Sequence, residues 1–168
     1  MKNILFVIAI FFISTGLFAQ SSGSTIVSSS ELCISIEKIA SGFENSFTGL
    51  FTTEDVEISL DIFKNTIYKY KPMYLVNGFN AGYYKKHVFS TSVKWSVFFE
   101  IESSQEEIRR IWGELETCLE SWDIIESDSD YGYFGFIAYN IFEKNGISLS
   151  IEASTGDDNY ITLEFEKL

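Results

Sequence analysis

The chain has 168 residues, 46% of them hydrophobic and 17% aromatic, with 12 Lys and Arg against 24 Asp and Glu for a formal charge of −12. That balance excludes the basic footprint that nucleic acid or an anionic lipid surface requires, and it suits solubility and a basic partner equally well. With one histidine and two cysteines, there is little material for imidazole catalysis or a zinc site.

Residues 1–19 open with Lys2, continue through the apolar run Ile4 to Ile13, and carry Ser14, Thr15 and Gly16 before Leu17, Phe18 and Ala19. A charged start, an apolar core of about ten residues and a small residue at a cut site make an export signal, too short to span a bilayer comfortably. Cleavage is expected after Ala19; a cut after Gly16 is the alternative, because it places Ser14 and Gly16 at the small-residue positions. The mature chain is then periplasmic or extracellular and off the membrane, and no cysteine follows either cut to carry a lipid anchor. Residues 20–27 are small and polar, the composition of a flexible leader. Residues 28–168 are the size of a single domain.

Ser28 and Glu31 have capping-box spacing, and Leu32, Ile36, Ile39, Phe43, Phe47 and Leu50 recur at helical steps. They predict a helix over 29–48, stopping near Gly49, with Cys33 on the flank of its apolar stripe. Val56, Ile58, Leu60 and Ile62 then alternate with Glu57, Ser59 and Asp61, the period of a half-buried strand. A second strand over 66–76 contains Pro72, which cannot donate to a ladder and so puts the strand at an edge or breaks it. Asn77 to Gly82 reads as a loop. From Tyr83 the odd positions Phe89, Val93, Trp95, Val97, Phe99 and Ile101 form the apolar face of one long strand.

Ser104 and Glu107 repeat the capping-box spacing, and Ile108, Ile111, Trp112, Leu115, Cys118, Leu119 and Trp122 predict a second amphipathic helix. The acidic stretch Asp123 to Asp130 reads as a connection, leading to an aromatic strand from Tyr131 to about Glu143. Asn145-Gly146 favours a type I′ hairpin into strands over 147–153 and 159–166, joined by the turn Thr155 to Asp158. The predicted order behind the signal is α-β-β-β-α-β-β-β, an α+β fold in which an antiparallel sheet has two helices packed on one face. The two halves share this outline with only weak residue-level similarity. If the helices are neighbours, Cys33 and Cys118 meet as a disulfide, which export favours over two buried free thiols.

His87 shares parity with Phe89 and Trp95 and reads as a partly covered strand histidine rather than a catalytic base. Gly132 and Gly135 lie inside the aromatic strand and make no phosphate loop. No metal or cofactor is expected. The run Glu126, Asp128, Asp130 departs from an EF-hand loop, since Tyr131 stands at the tight-turn glycine position and Ile137 at that of the closing glutamate. Glu100 and Glu102 share a strand face and are what a carboxylate-dependent hydrolase could use, yet they fall on the solvated side.

Tyr68, Tyr70, Tyr74, Phe79, Tyr83 and Tyr84 crowd around the loop, with Lys69, Lys71, Lys85 and Lys86 interleaved. Tyrosines give large contact area at low entropic cost, and an edge strand beside a loop can accept a partner strand. These six aromatics are the candidate binding residues, against plain packing over a sheet edge; the acidic turns at 123–130 and 155–158 are the other candidate surface. The expected function is an exported, non-enzymatic interaction module, inhibitor- or immunity-like, that binds a protein partner, a basic one by charge. A small-molecule or lipid carrier using the aromatic sheet face, and a carboxylate-dependent hydrolase, are the alternatives.

Overall fold

A computed structural model describes residues 29–45, 47, 49–88, 93–132 and 135–168. The expected signal with its cut sites, the leader and the Ser28 cap lie outside the described residues. Among those described, the chain runs α1 (Ser29–Gly42), β1 (Glu57–Leu60), β2 (Thr66–Tyr70), β3 (Ala81–Val88), β4 (Val93–Glu102), α2 (Gln105–Cys118), β5 (Asp123–Gly132), β6 (Gly135–Lys144), β7 (Ile147–Thr155) and β8 (Tyr160–Lys167). The strands form one antiparallel sheet in the order β1-β2-β3-β4-β8-β7-β6-β5, with both helices on one face, so the α+β class is the one the sequence predicts. Each half is a helix followed by a four-strand meander, and the last strands of the two halves, β4 and β8, pair at the centre.

The pattern for α2 is complete locally. Extended at φ −69°, Ser104 accepts the Glu107 N–H on Oγ at 3.3 Å, and Ile108, Ile111, Trp112 and Leu115 are buried. Beyond the helix end, Leu119 and Trp122 extend the buried stripe. In α1, Leu32, Ile36 and Ile39 are buried, but the helix stops at Gly42, short of its predicted end. There the Phe47 N–H turns back to the Gly42 carbonyl at 2.8 Å with φ 55°, so Phe47 keeps the helical spacing and the burial while lying in a turn.

Beneath the helices, register aligns Tyr84, Val97, Phe165, Leu149 and Phe142 in one row across β3, β4, β8, β7 and β6. Phe99, Leu163 and Ile151 lie in the next row, and all of these side chains are buried. Burying a Phe or Leu side chain contributes about 1.5–3 kcal/mol, so these two rows hold the sheet to the helices. Cys33 and Cys118 bridge the helices, with sulfurs 1.99 Å apart and Cα atoms 5.0 Å apart.

Four expectations are corrected by the fold. The long strand from Tyr83 is two strands: Val88 pairs with Val93, and the chain reverses between them, so inward parity switches from even (Tyr84) to odd (Val97). The acidic stretch from Asp123 is a strand, β5, that pairs with β6 through its backbone while its side chains at 123–130 stay in water. The Tyr131–Glu143 strand is accordingly cut by a reversal between Gly132 and Gly135. Lastly, the apolar positions of β1 are not core: Ile58 and Leu60 are each 64% exposed, because β1 lies at the sheet margin beyond the cover of the helices. Two local predictions hold: β2 ends before Pro72, which makes only an isolated bridge to Phe51, and Asn145 and Gly146 take φ of 54° and 74°, as a type I′ turn requires.

Candidate functional site

The six aromatics chosen from the sequence do not form one surface. Tyr84 and Phe79 belong to the core and are removed from the candidate surface by their burial. Burial, with a smaller contribution from Tyr74, pushes the Tyr84 phenol above its ordinary value. Tyr70 packs on Phe51 and Trp95, with ring centroids 4.9 and 5.6 Å away, and Tyr68 stacks on Tyr70 at 6.5 Å. Tyr74 belongs to the α1 side, where its hydroxyl lies 2.8 Å from Ser35 Oγ and Lys38 Nζ sits 3.6 Å over its ring. Tyr83 alone turns to the outer sheet face, stacked on Phe98 at 5.2 Å. The aromatic crowd is mostly packing because Tyr68, Tyr70 and Tyr84 share the inner face of β2 and β3.

His87 is a partly covered strand residue, as expected, and it has a partner the sequence did not reveal. Its Nε2 lies 2.8 Å from Asp61 Oδ2, which also accepts from Asn65 Nδ2 at 3.0 Å. Asp61 Oδ1 accepts the backbone N–H groups of Phe63 and Asn65 at 2.8 and 2.7 Å, closing the β1–β2 turn and fastening it to β3. Burial works to raise the Asp61 carboxyl, but the hydrogen bonds, those from Asn65 foremost, outweigh it and hold the group below its ordinary value. With the folded value below the unfolded 3.8, this contribution to stability is complete above that pH and is lost as pH falls through the folded value. Asp61→Ala is therefore expected to melt at a lower temperature than the wild type near neutrality, and the two melting curves should converge in acid. A gap that stays constant down to about pH 2 would contradict the linkage.

The outer sheet face carries the stronger signal. The outward residues of β5, β7 and β8 include Glu126, Asp128, Asp130, Glu152, Glu164 and Glu166. Among the described outward positions of β5 to β8 there is no Lys or Arg. At one end of this face, Glu100 and Glu102 on β4 and Asp157 and Asp158 in the β7–β8 turn line an open cleft of about 640 Å³ together with Tyr160. A neighbouring cleft of about 410 Å³ shares Asp157, Asp158 and Tyr160 and reaches Asp130 on β5. The two make a groove running from the centre of the sheet to its β5 edge. The field is felt by nearby phenols. Its hydrogen bond to Glu152, followed by burial and the charges of Glu152 and Asp158, pushes Tyr160 up to about 12. Burial, followed by the charges of Glu164, Glu100 and Glu57, raises Tyr83.

The acidic segments 123–130 and 155–158 and the Glu100–Glu102 pair are visible in the sequence, but that they share a groove is not. Their meeting depends on the pairing of β4 with β8 and of β6 with β7. Among the described residues no group of three or more His, Cys, Asp or Glu could hold a metal ion, and no helix is long and apolar enough to cross a membrane. No family model, curated protein or solved structure matches this chain.

Proposed function

We propose that this protein is an exported, non-enzymatic interaction module that docks a basic protein partner on the acidic half of its outer sheet face. The observation that carries the reading is the groove lined by Glu100, Glu102, Asp130, Asp157 and Asp158. A single-sign groove steers and selects a partner of opposite charge. Export is supported by the signal-like segment at 1–19 and by the bonded cysteine pair, which persists in an oxidising compartment.

The alternatives have less support. A carrier needs a concave apolar cavity of about 300 Å³ or more; here Phe99, Phe165 and Leu163 pack the space under the helices, and the cleft of about 400 Å³ between α2 and the end of β4 is lined largely by polar residues, Asn77, Asn80, Glu102, Ser103 and Glu107 among them. A hydrolase would draw on the same carboxylates, but it needs one carboxyl set apart from its partner by a dry environment. Glu100, Glu102, Asp157 and Asp158 are all exposed.

The test is affinity capture from an extracytoplasmic extract with the wild type and with Glu100→Lys/Asp158→Lys in parallel. Proteins held by the wild type should be basic, and their retention by the variant should fall on the order of tenfold, as should their retention by the wild type in high salt. Identical captured sets with both baits would refute the acidic groove as the docking surface.

A further inference from the structure

We infer that β5 is a strand-accepting edge, on which an extended basic segment of the partner adds as a ninth strand; this rests on the acidic-face reading and specifies how the partner binds. Three observations lead to it. First, β5 ends the sheet among the described strands, contains no proline, and pairs with β6 without a break from Glu126 to Gly132, past a register shift between Ile124 and Glu126. Every residue from 123 to 130 is exposed, and among the described residues no strand pairs with the outer row of N–H and C=O groups there. Such a row is a ready template for another strand. The opposite edge, β1, offers only four residues.

Second, the side chains of β5 specify what can be added. Glu126, Asp128 and Asp130 lie opposite Ile141, Tyr139 and Ile137 on the outer face, and Ser127 and Ser129 lie opposite Asn140 and Ala138 on the inner one. A second copy of β5 pairing there in antiparallel fashion would set carboxylates against carboxylates, which is destabilising. The same positions favour an incoming strand with Lys or Arg at every second residue, each opposite-charge pair contributing about 0.2–1 kcal/mol. The other face of that strand would meet serine and so takes small or polar residues.

Third, the groove begins where β5 ends. Asp130 lines it together with Asp157 and Asp158, so a basic residue beyond the end of the added strand still meets carboxylates. Charge complementarity therefore extends from the edge onto the outer face and distinguishes a basic strand from a neutral or acidic one.

The test uses the purified, oxidised protein and three fluorescent peptides of about nine residues. The first alternates Lys with Thr; the second has the same sequence with backbone N-methylation at every second residue; the third replaces Lys with Glu. Anisotropy should show the first peptide binding, the N-methylated one binding about tenfold more weakly despite equal charge, and the Glu peptide not binding. Asp128→Lys, a change at an exposed position, should weaken the first peptide by a similar factor, with an unchanged near-ultraviolet circular dichroism spectrum confirming the fold. Amide exchange should slow in β5 on binding. If the two Lys peptides bind equally well, the edge is not used, and the inference fails while the acidic-face reading stands. If no Lys peptide binds, and Asp128→Asn/Asp130→Asn makes the protein self-associate, the carboxylates only guard the edge and both readings fail.

Discussion

Replacing Cys33 and Cys118 together by serine is expected to lower the unfolding free energy by on the order of 4 kcal/mol and the melting temperature by roughly 10 °C. The bond joins residues 85 apart and ties α1 to α2, so the loop it closes contains all of β1 to β4. In the chain-entropy account this stabilisation comes from restricting the unfolded chain and grows with the logarithm of loop length. The folded helices have other ties beside the bond. Glu37, one turn beyond Cys33, accepts from Trp122 Nε1 at 3.3 Å and from Lys144 Nζ at 2.9 Å. The double variant should therefore keep the native near-ultraviolet spectrum while its denaturant midpoint moves down. Both cysteines are replaced together because a single substitution leaves a reactive thiol. A midpoint shift corresponding to less than about 1 kcal/mol would mean that the bond restricts little that the helices do not already restrict.

What the sequence made legible follows from which residues repeat their environment. The stripe from Ile108 to Trp122 and the Ser104 cap lie within one continuous segment, so α2 could be read directly. The alternations in β7 and β8 and the Asn145-Gly146 turn are equally local. Where a period runs through a reversal the pattern misleads: the apolar residues of β3 and β4 look like one strand because nothing in the spacing separates Val88 from Val93, which pair with each other. β5 is hidden in the sequence for a different reason. A strand with both faces in water has no apolar period, and its Asp and Ser residues look like a loop. The groove was out of reach altogether, because Glu100, Asp130 and Asp158 come from three segments and are brought together only by strand order. The aromatic cluster misleads in the opposite direction. Composition located Tyr84 and Phe79 near a loop, while register put Tyr84 opposite Val97 in the core.

The second large effect is expected at Gly135, where Gly135→Ala should destabilise the protein by about 3 kcal/mol or more. Gly135 pairs with Gly132 at the end of the β5–β6 hairpin and holds φ at +140°, a conformation essentially reserved for glycine. A Cβ on it would stand 1.5 Å from the Thr155 carbonyl oxygen and 2.6 Å from that carbonyl carbon. Because these are backbone atoms, no side-chain rotation relieves the clash, and β6 must move away from β7. That movement would break the bond from the Phe136 N–H to Thr155 Oγ1 at 2.9 Å and lift the buried Phe136 ring from Trp112 on α2, 5.7 Å between centroids. Gly146→Ala is the internal control. Gly146 also has positive φ, +74°, but its Cβ would meet nothing within 4 Å, so it should lose only about 1–2 kcal/mol of left-handed strain. Denaturant unfolding of the two variants side by side separates backbone collision from conformational strain, and equal losses would show that the end of β6 yields without cost. Gly135 and Thr155 also line the groove that reaches Asp130, so the same displacement moves the end of β5 relative to Asp157 and Asp158. Gly135→Ala should accordingly weaken capture of the basic partner more than its loss of stability alone accounts for, whereas Gly146→Ala, at the other end of β6, should leave capture unchanged.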